Sequence, residues 1–183
     1  MFDSLTAAAL ADQLTAGVLD GRVQNVGLLS RRAIMLEVYA NHRRSWLVAS
    51  AENQSPTVYL TKDEPVLDRQ LVTPVLLLLR KYVRGSRLIG IQQPPLERQL
   101  SLSFASPVYR SSDLEVAEVD DDEDESDDDV IFTHLQLEIM GRHSNIIMVG
   151  DDGLIMEAVK RVSPQMSRVR PIAPRRPYVP PPP

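Results

Sequence analysis

Apolar and polar positions alternate along most of this chain, and only two stretches give way to a helical period. Near the C-terminal end, Ile131, Thr133, Leu135, Leu137 and Ile139 alternate with Phe132, His134, Gln136, Glu138 and Met140. That is the period of two expected of a strand with one buried face. The polar cluster Gly141, Arg142, His143, Ser144 and Asn145 interrupts it, and residues 146–149 resume as a short buried-strand run. Gly150, Asp151, Asp152 and Gly153 then form an evident turn into a third strand, 154–160. Three consecutive strands thus hold Arg142, His143, Ser144 and Asn145 on a loop, where a rigid scaffold can present them to a partner.

Upstream, Asp3 or Ser4 can cap a helix whose apolar side includes Leu5, Leu10, Leu14 and Val18, closing near Gly21. Strand patterns follow at 23–29, 33–40, 45–50 and 57–61, with Asn41-His42-Arg43-Arg44 as a hairpin turn. A central helix is marked by Thr73 as N-cap, Pro74 at the first helical position and Gly85 at the C-terminal cap. Its first turns, Val75 to Leu79, are apolar all round and predict burial between other elements. Strands at 86–92 and 97–104 come next, hinged at Pro94-Pro95. Many short strands with one N-terminal and one central helix predict an α+β fold: a β-sandwich or partly closed barrel of mostly antiparallel strands.

The 183 residues, 43% hydrophobic, predict one domain with a real core. There is no cysteine, which removes disulfides and thiolate metal sites and suits a reducing cytoplasm. Residues 1–20 lack Lys and Arg, and no run approaches the ~18 apolar residues of a membrane span, so neither a signal peptide nor a membrane association is expected. The net charge of −5 misleads: residues 113–129 hold 12 of the 25 acidic side chains and no base. Without them, 20 basic residues face 13 acidic ones, a net of +7, and a cationic body is what a phosphate-contacting protein presents. The acidic stretch predicts a disordered loop. Residues 1–162 form the expected domain, and 163–183, rich in Pro and Arg, read as a linker toward further domains absent from this chain.

The block Glu138 to Met148, with Gly-Arg-His-Ser-Asn at its centre, closely resembles the N-terminal domain of the NFACT family, whose bacterial members are called FbpA (fibronectin-binding protein A-like) or RqcH. Other landmarks fall in the family's order: Phe2-Asp3, Glu37-Val38-Tyr39-Ala40-Asn41, Leu78-Leu79-Arg80-Lys81, Leu96-Glu97-Arg98, Ser167-Arg168 and Pro177-Tyr178-Val179-Pro180-Pro181. The resemblance implies a β-sandwich like the one that opens formamidopyrimidine-DNA glycosylases. Those enzymes begin with a Pro amine nucleophile followed by Glu; this chain begins Met1-Phe2-Asp3, so that chemistry is missing.

Candidate binding residues follow. Glu97-Arg98 stands where the family usually carries Asp-Arg, a pair tied to tRNA recognition during tailing; by residue type alone it is an ordinary surface ion pair. Arg142, His143, Ser144 and Asn145 offer donors to RNA backbone, or hold the turn itself, with Arg142 tied to Glu138. Arg80, Lys81 and Arg84 form a phosphate-tracking ridge with Arg43 and Arg44, or a solvated helix end. Trp46 and Tyr39 read as core. His143 alone makes a weak case for catalysis, and the three His residues lack metal-ligand spacing, so no catalysis and no metal are expected. No GxGxxG or P-loop pattern occurs, and no cofactor is expected.

The resemblance together with the cationic body implies a non-catalytic, cytoplasmic, RNA-binding domain of a ribosome quality-control factor. Its expected partners are the large ribosomal subunit obstructed by peptidyl-tRNA, and alanyl-tRNA for C-terminal alanine tailing. The alternatives are a fibronectin-binding adhesin, a nucleic-acid-binding module with a lost glycosylase activity, and an interaction module using the Asp-rich stretch.

Overall fold

The chain enters its first helix through Asp3, whose carboxylate accepts a 2.8 Å hydrogen bond from the Thr6 amide and satisfies one free N–H of the first turn. The computed structural model describes residues 3–94, 97–107 and 130–182. Helix α1 (Ser4–Val18) buries Ala7, Leu10, Leu14 and Val18. Leu5, expected on that stripe, is 79% exposed, because five residues carry it about 140° round the helix from Leu10.

Strands β1 (Arg22–Ser30), β2 (Ala33–Ala40), β3 (Arg43–Ser50) and β4 (Thr57–Thr61) run as an antiparallel meander. Asn41 and His42, at φ 52° and 60°, make a two-residue hairpin turn of the kind whose twist matches the strands. Arg43 and Arg44, expected in the turn, are therefore the first residues of β3.

Helix α2 (Pro74–Leu78) starts as its residues predict, with the Thr73 hydroxyl accepting from the Leu76 amide at 3.2 Å. It widens into a π turn over Leu79–Val83, closed by the Arg84 amide on the Leu79 carbonyl at 2.8 Å. Gly85 then takes φ +83°, the left-handed conformation that a helix end asks of glycine. Val75, Leu76, Leu79 and Val83 are buried but Leu77 is half exposed, so the helix meets the core from one side and not all round.

Strands β5 (Arg87–Gln92), β6 (Gln99–Pro107), β7 (Val130–Glu138), β8 (Asn145–Gly150) and β9 (Ile155–Ala158) complete one antiparallel sheet in the order β4-β3-β2-β1-β5-β6-β7-β8-β9. Its halves face each other: Ile34, Leu36, Leu47 and Ala49 share a small void with Leu102, Leu135 and Leu137. The sheet does not close, since β4 pairs only with β3 and β9 only with β8 among the described strands. The partly closed barrel is thus corrected to a folded-over open sheet. Its bend lies at β1 and β5, which share a single register pair, Arg22 with Arg87. Helices α1 and α2 pack into the core between the halves, and Phe104 is its largest fully buried side chain.

Residues 163–182, read as a linker, fold back over the outer face. Val162 and Ile172 exchange backbone hydrogen bonds of 2.9 and 2.8 Å, and Ile155 does the same with Arg176 and Arg175 at 2.8 Å each. Strand β8 is apolar on both faces, and its outer pair, Ile147 and Val149, needs cover that Ile172 and Tyr178 supply. The acidic stretch 113–129, expected to be disordered, lies outside the described residues.

Candidate nucleic-acid interface

Glu97 and Arg98 precede β6, which begins at the buried Gln99. Their backbone is pinned from three sides. The Glu97 amide donates to the Pro94 carbonyl at 3.1 Å, and the Ile139 amide donates to the Arg98 carbonyl at 3.0 Å. The Gln93 side chain donates to the Glu97 and Ser4 carbonyls, each at 2.9 Å. Arg98 is exposed, Glu97 is half-buried, and no salt bridge joins the two among the described residues. The plain ion-pair reading therefore does not describe them. Glu97 lines an open cleft of about 610 Å³ with Gln92, Gln93, Gln99, Gln136 and Tyr178. Gln99 Nε2 donates to Gln136 at 2.9 Å and to the Tyr178 hydroxyl at 2.7 Å, while its Oε1 is buried without a hydrogen-bond partner.

The Gly-Arg-His-Ser-Asn turn sits at the same end of the sheet, because Glu138 is in register with both Gln99 and Asn145. Gly141 opens it at φ +58° and a single 3₁₀ turn, Gly141–His143, follows. The four predicted residues divide sharply. Arg142 and His143 are exposed, with Arg142 Nε 3.3 Å from His143 Nε2. Ser144 and Asn145 are buried and spent on architecture. Ser144 Oγ accepts from the Met140 amide at 2.8 Å. Asn145 Oδ1 accepts from the Ile146 and Lys160 amides at 2.9 and 3.1 Å, and its Nδ2 donates to the Lys160 carbonyl at 2.8 Å. Both side chains are shut away from solvent, so neither faces a ligand.

Arg142 does not reach Glu138. That carboxylate, with no solvent exposure, is held by both terminal nitrogens of Arg170 and by the Tyr178 hydroxyl at 2.7 Å. Burial opposes the Arg170 charge, but the bond to Glu138 still raises its pKa. Burial, with Glu138 beside it, pushes the Tyr178 phenol well above its ordinary range, so it stays a donor. The sequence signal for this cluster was Ile172, Tyr178 and Val179 among the prolines, too much apolar surface for a solvated linker.

Arg80 and Lys81 are exposed on the π turn, next to Tyr82. Tyr82 lines a second cleft with Val130 and Phe132, at the far end of β7 from Glu138, so these two cations stand apart from Glu97 and Arg98. Trp46 is buried as expected, whereas Tyr39, expected in the core, is 43% exposed. The sheet also brings together Ser103, His134 and Asp151. The hydroxyl lies 2.8 Å from Nδ1, but the carboxylate is 3.6 Å from Nε2, beyond hydrogen-bond reach. Among the described residues, neither Ser103 nor His134 lines any of the three cavities named in this structure, and with the carboxylate out of reach the trio lacks the geometry of a hydrolytic triad. Among the described residues no three His, Asp or Glu side chains group as metal ligands, and no helix is long and apolar enough to cross a membrane.

The model of the NFACT N-terminal and middle domains matches residues 3–183. The chain belongs to the NFACT family. Among its relatives, the Rqc2 homolog RqcH of Streptococcus suis is 29% identical over 182 residues, and that of Bacillus subtilis is 25% identical over 183. Each match takes in 99% of this chain and only 30% and 29% of the relative, so this NFACT chain spans under a third of their length. The N-terminal part of the fibronectin/fibrinogen-binding protein from Streptococcus suis superposes with a TM-score of 0.84 at 27% identity, over all of this chain and 62% of that one. The N-terminal domain of the fibronectin-binding protein PavA from Streptococcus pneumoniae gives 0.83 at 24%, with the same coverage, and shows the same fold.

Proposed function

We propose that this NFACT domain is the RNA-reading part of a ribosome quality-control factor. In this reading the protein docks on a large ribosomal subunit obstructed by peptidyl-tRNA and recruits alanyl-tRNA for C-terminal alanine tailing. The peptide bond is made by the ribosome, and the domain contributes binding and orientation without catalysis. The same proposal takes its scaffold to be that of the domain that opens formamidopyrimidine-DNA glycosylases.

One observation carries the reading: an exposed arginine, next in sequence to the cleft-lining Glu97, shares one end of the sheet with a second cationic turn. Arg98 has the planar fork that grips a phosphate, and Arg142 and His143 extend that contact along a backbone. In the neighbouring cleft, Glu97, Gln92, Gln93 and Gln136 supply donors and acceptors for base edges or a 2′-hydroxyl. Ser144 and Asn145 serve by fixing the turn.

The test is tRNA binding by the full-length protein. Arg98→Ala is expected to weaken affinity about tenfold, and Glu97→Ala less. Wild-type affinity in both variants would remove the site. A second reading, fibronectin binding, is favoured by the names of the two structural relatives. Capture of the full-length protein on immobilised fibronectin, with no affinity for tRNA, would put it first.

A further inference from the structure

Four side chains from four strands follow one another across the exposed face of the sheet, the last pair over its bend at β1 and β5. The registers of β3, β2, β1 and β5 set Arg44 opposite Tyr39, Tyr39 opposite Arg22, and Arg22 opposite Arg87. Directly opposed residues of antiparallel strands point to the same face with Cα atoms about 5 Å apart, so the row is about 15 Å long. It faces water: Tyr39 is 43% exposed, the Arg44 and Arg87 side chains are each 59% exposed, and Arg22 is exposed too.

The row is costly as pure architecture. Arg22 and Arg87 set like charges directly across a strand pair, which destabilises a sheet. The available acids offset this only in part. Glu37 holds Arg44 at 3.0 Å, but Asp20 stands 3.6 Å from Arg87, and among the described residues Arg22 has only the Gly85 carbonyl at 3.4 Å. An anion laid along the row would remove the repulsion. The half-exposed aromatic ring between the guanidinium groups narrows what that anion is. A tyrosine on an open strand face, flanked by cations, is the arrangement on which unpaired bases stack while their phosphates are neutralised. An acidic peptide would use the arginines and leave the ring idle.

We propose that the row Arg44–Tyr39–Arg22–Arg87 binds single-stranded RNA, with phosphates on the guanidinium groups and a base on the Tyr39 ring. This rests on the RNA-binding reading above but uses a different surface. Arg87 opens β5 and Gln92 closes it beside the amide-lined cleft, a separation of about 17 Å on one sheet face. The inference thus extends the RNA contact along the sheet, away from Glu97 and Arg98.

The experiment is fluorescence anisotropy of the full-length protein with a labelled uridine oligonucleotide of about 12 nucleotides, at about 50 and about 200 mM salt. Tyr39→Ala is expected to weaken binding about tenfold and Tyr39→Phe to keep wild-type affinity, since the face of the ring does the stacking. Arg22→Ala with Arg87→Ala is expected to lower the slope of log affinity against log salt by about 1.4, the share of two single-strand phosphates. Melting temperatures near wild type keep misfolding out of the comparison. Wild-type affinity in Tyr39→Ala overturns the proposal, and so does a poly-glutamate peptide that displaces the RNA from wild type and Tyr39→Ala equally. Arg98→Ala separates the two surfaces. If it weakens tRNA binding while the row variants bind RNA as wild type, the row falls and the RNA reading stands. If only the row variants lose affinity, the row stands and the Glu97–Arg98 site falls.

Discussion

A carboxylate shut away from water is tolerable only where cations and donors replace its hydration, and Glu138 has a bidentate arginine and a phenol for that purpose. Removing Arg170 leaves the charge buried and alone. Arg170→Ala is expected to destabilise the fold by about 3–5 kcal/mol, measured by urea denaturation. The phenol adds a pH dependence. Tyr178 titrates near pH 10 in the unfolded chain and holds its proton more tightly when folded. Its contribution is therefore complete below about pH 10 and lost as pH rises past it, so the melting temperature falls on that alkaline limb. Tyr178→Phe is expected to melt lower at neutral pH and to show a shallower alkaline fall. Little of this was legible in the sequence. Strand alternation put Glu138 on the solvent side, which is correct for the sheet, but periodicity within one strand carries no information about a distant segment that covers that side. Asn145 illustrates the same limit: its type fits a turn or a ligand equally, and only the Lys160 backbone, fifteen residues on, decides.

At the scale of elements, local chemistry was strong enough to read where each signal was self-contained. Strands β2 and β4 match their apolar patterns end to end, and Thr73 with Pro74 starts α2 as its cap requires. The misplacements come from tertiary packing. The Arg43-Arg44 pair looks like turn residues, yet Asn41 and His42 complete the turn alone because both accept positive φ. His42 does so at a cost that glycine would avoid. His42→Gly is expected to raise stability by about 0.5–1 kcal/mol, seen as a higher melting temperature. A fall would show that the imidazole makes contacts worth more than the backbone strain. The unbroken leucines of α2 predicted all-round burial, but a helix of five residues that turns into a π turn meets the core on one side only.

Across the whole molecule, one open sheet folded over two helices leaves an outer face that the C-terminal segment covers at β8 and β9 and that is exposed at Arg22, Tyr39 and Arg44. That division was beyond a reading of the sequence, since a row built from four strands exists only once their registers are fixed. The net positive charge outside the acidic stretch was legible, and it bears on affinity more than on fold. Phosphate contacts of this kind predict that tRNA affinity of the full-length protein falls steeply between about 50 and about 200 mM salt. The central claim is that Arg98, exposed beside the cleft-lining Glu97 in the chain, grips RNA. Its most direct test is the tRNA dissociation constant of Arg98→Ala beside wild type at the lower of those salt concentrations. A loss of about tenfold with an unchanged melting temperature is the expected result, and equal affinities would contradict it.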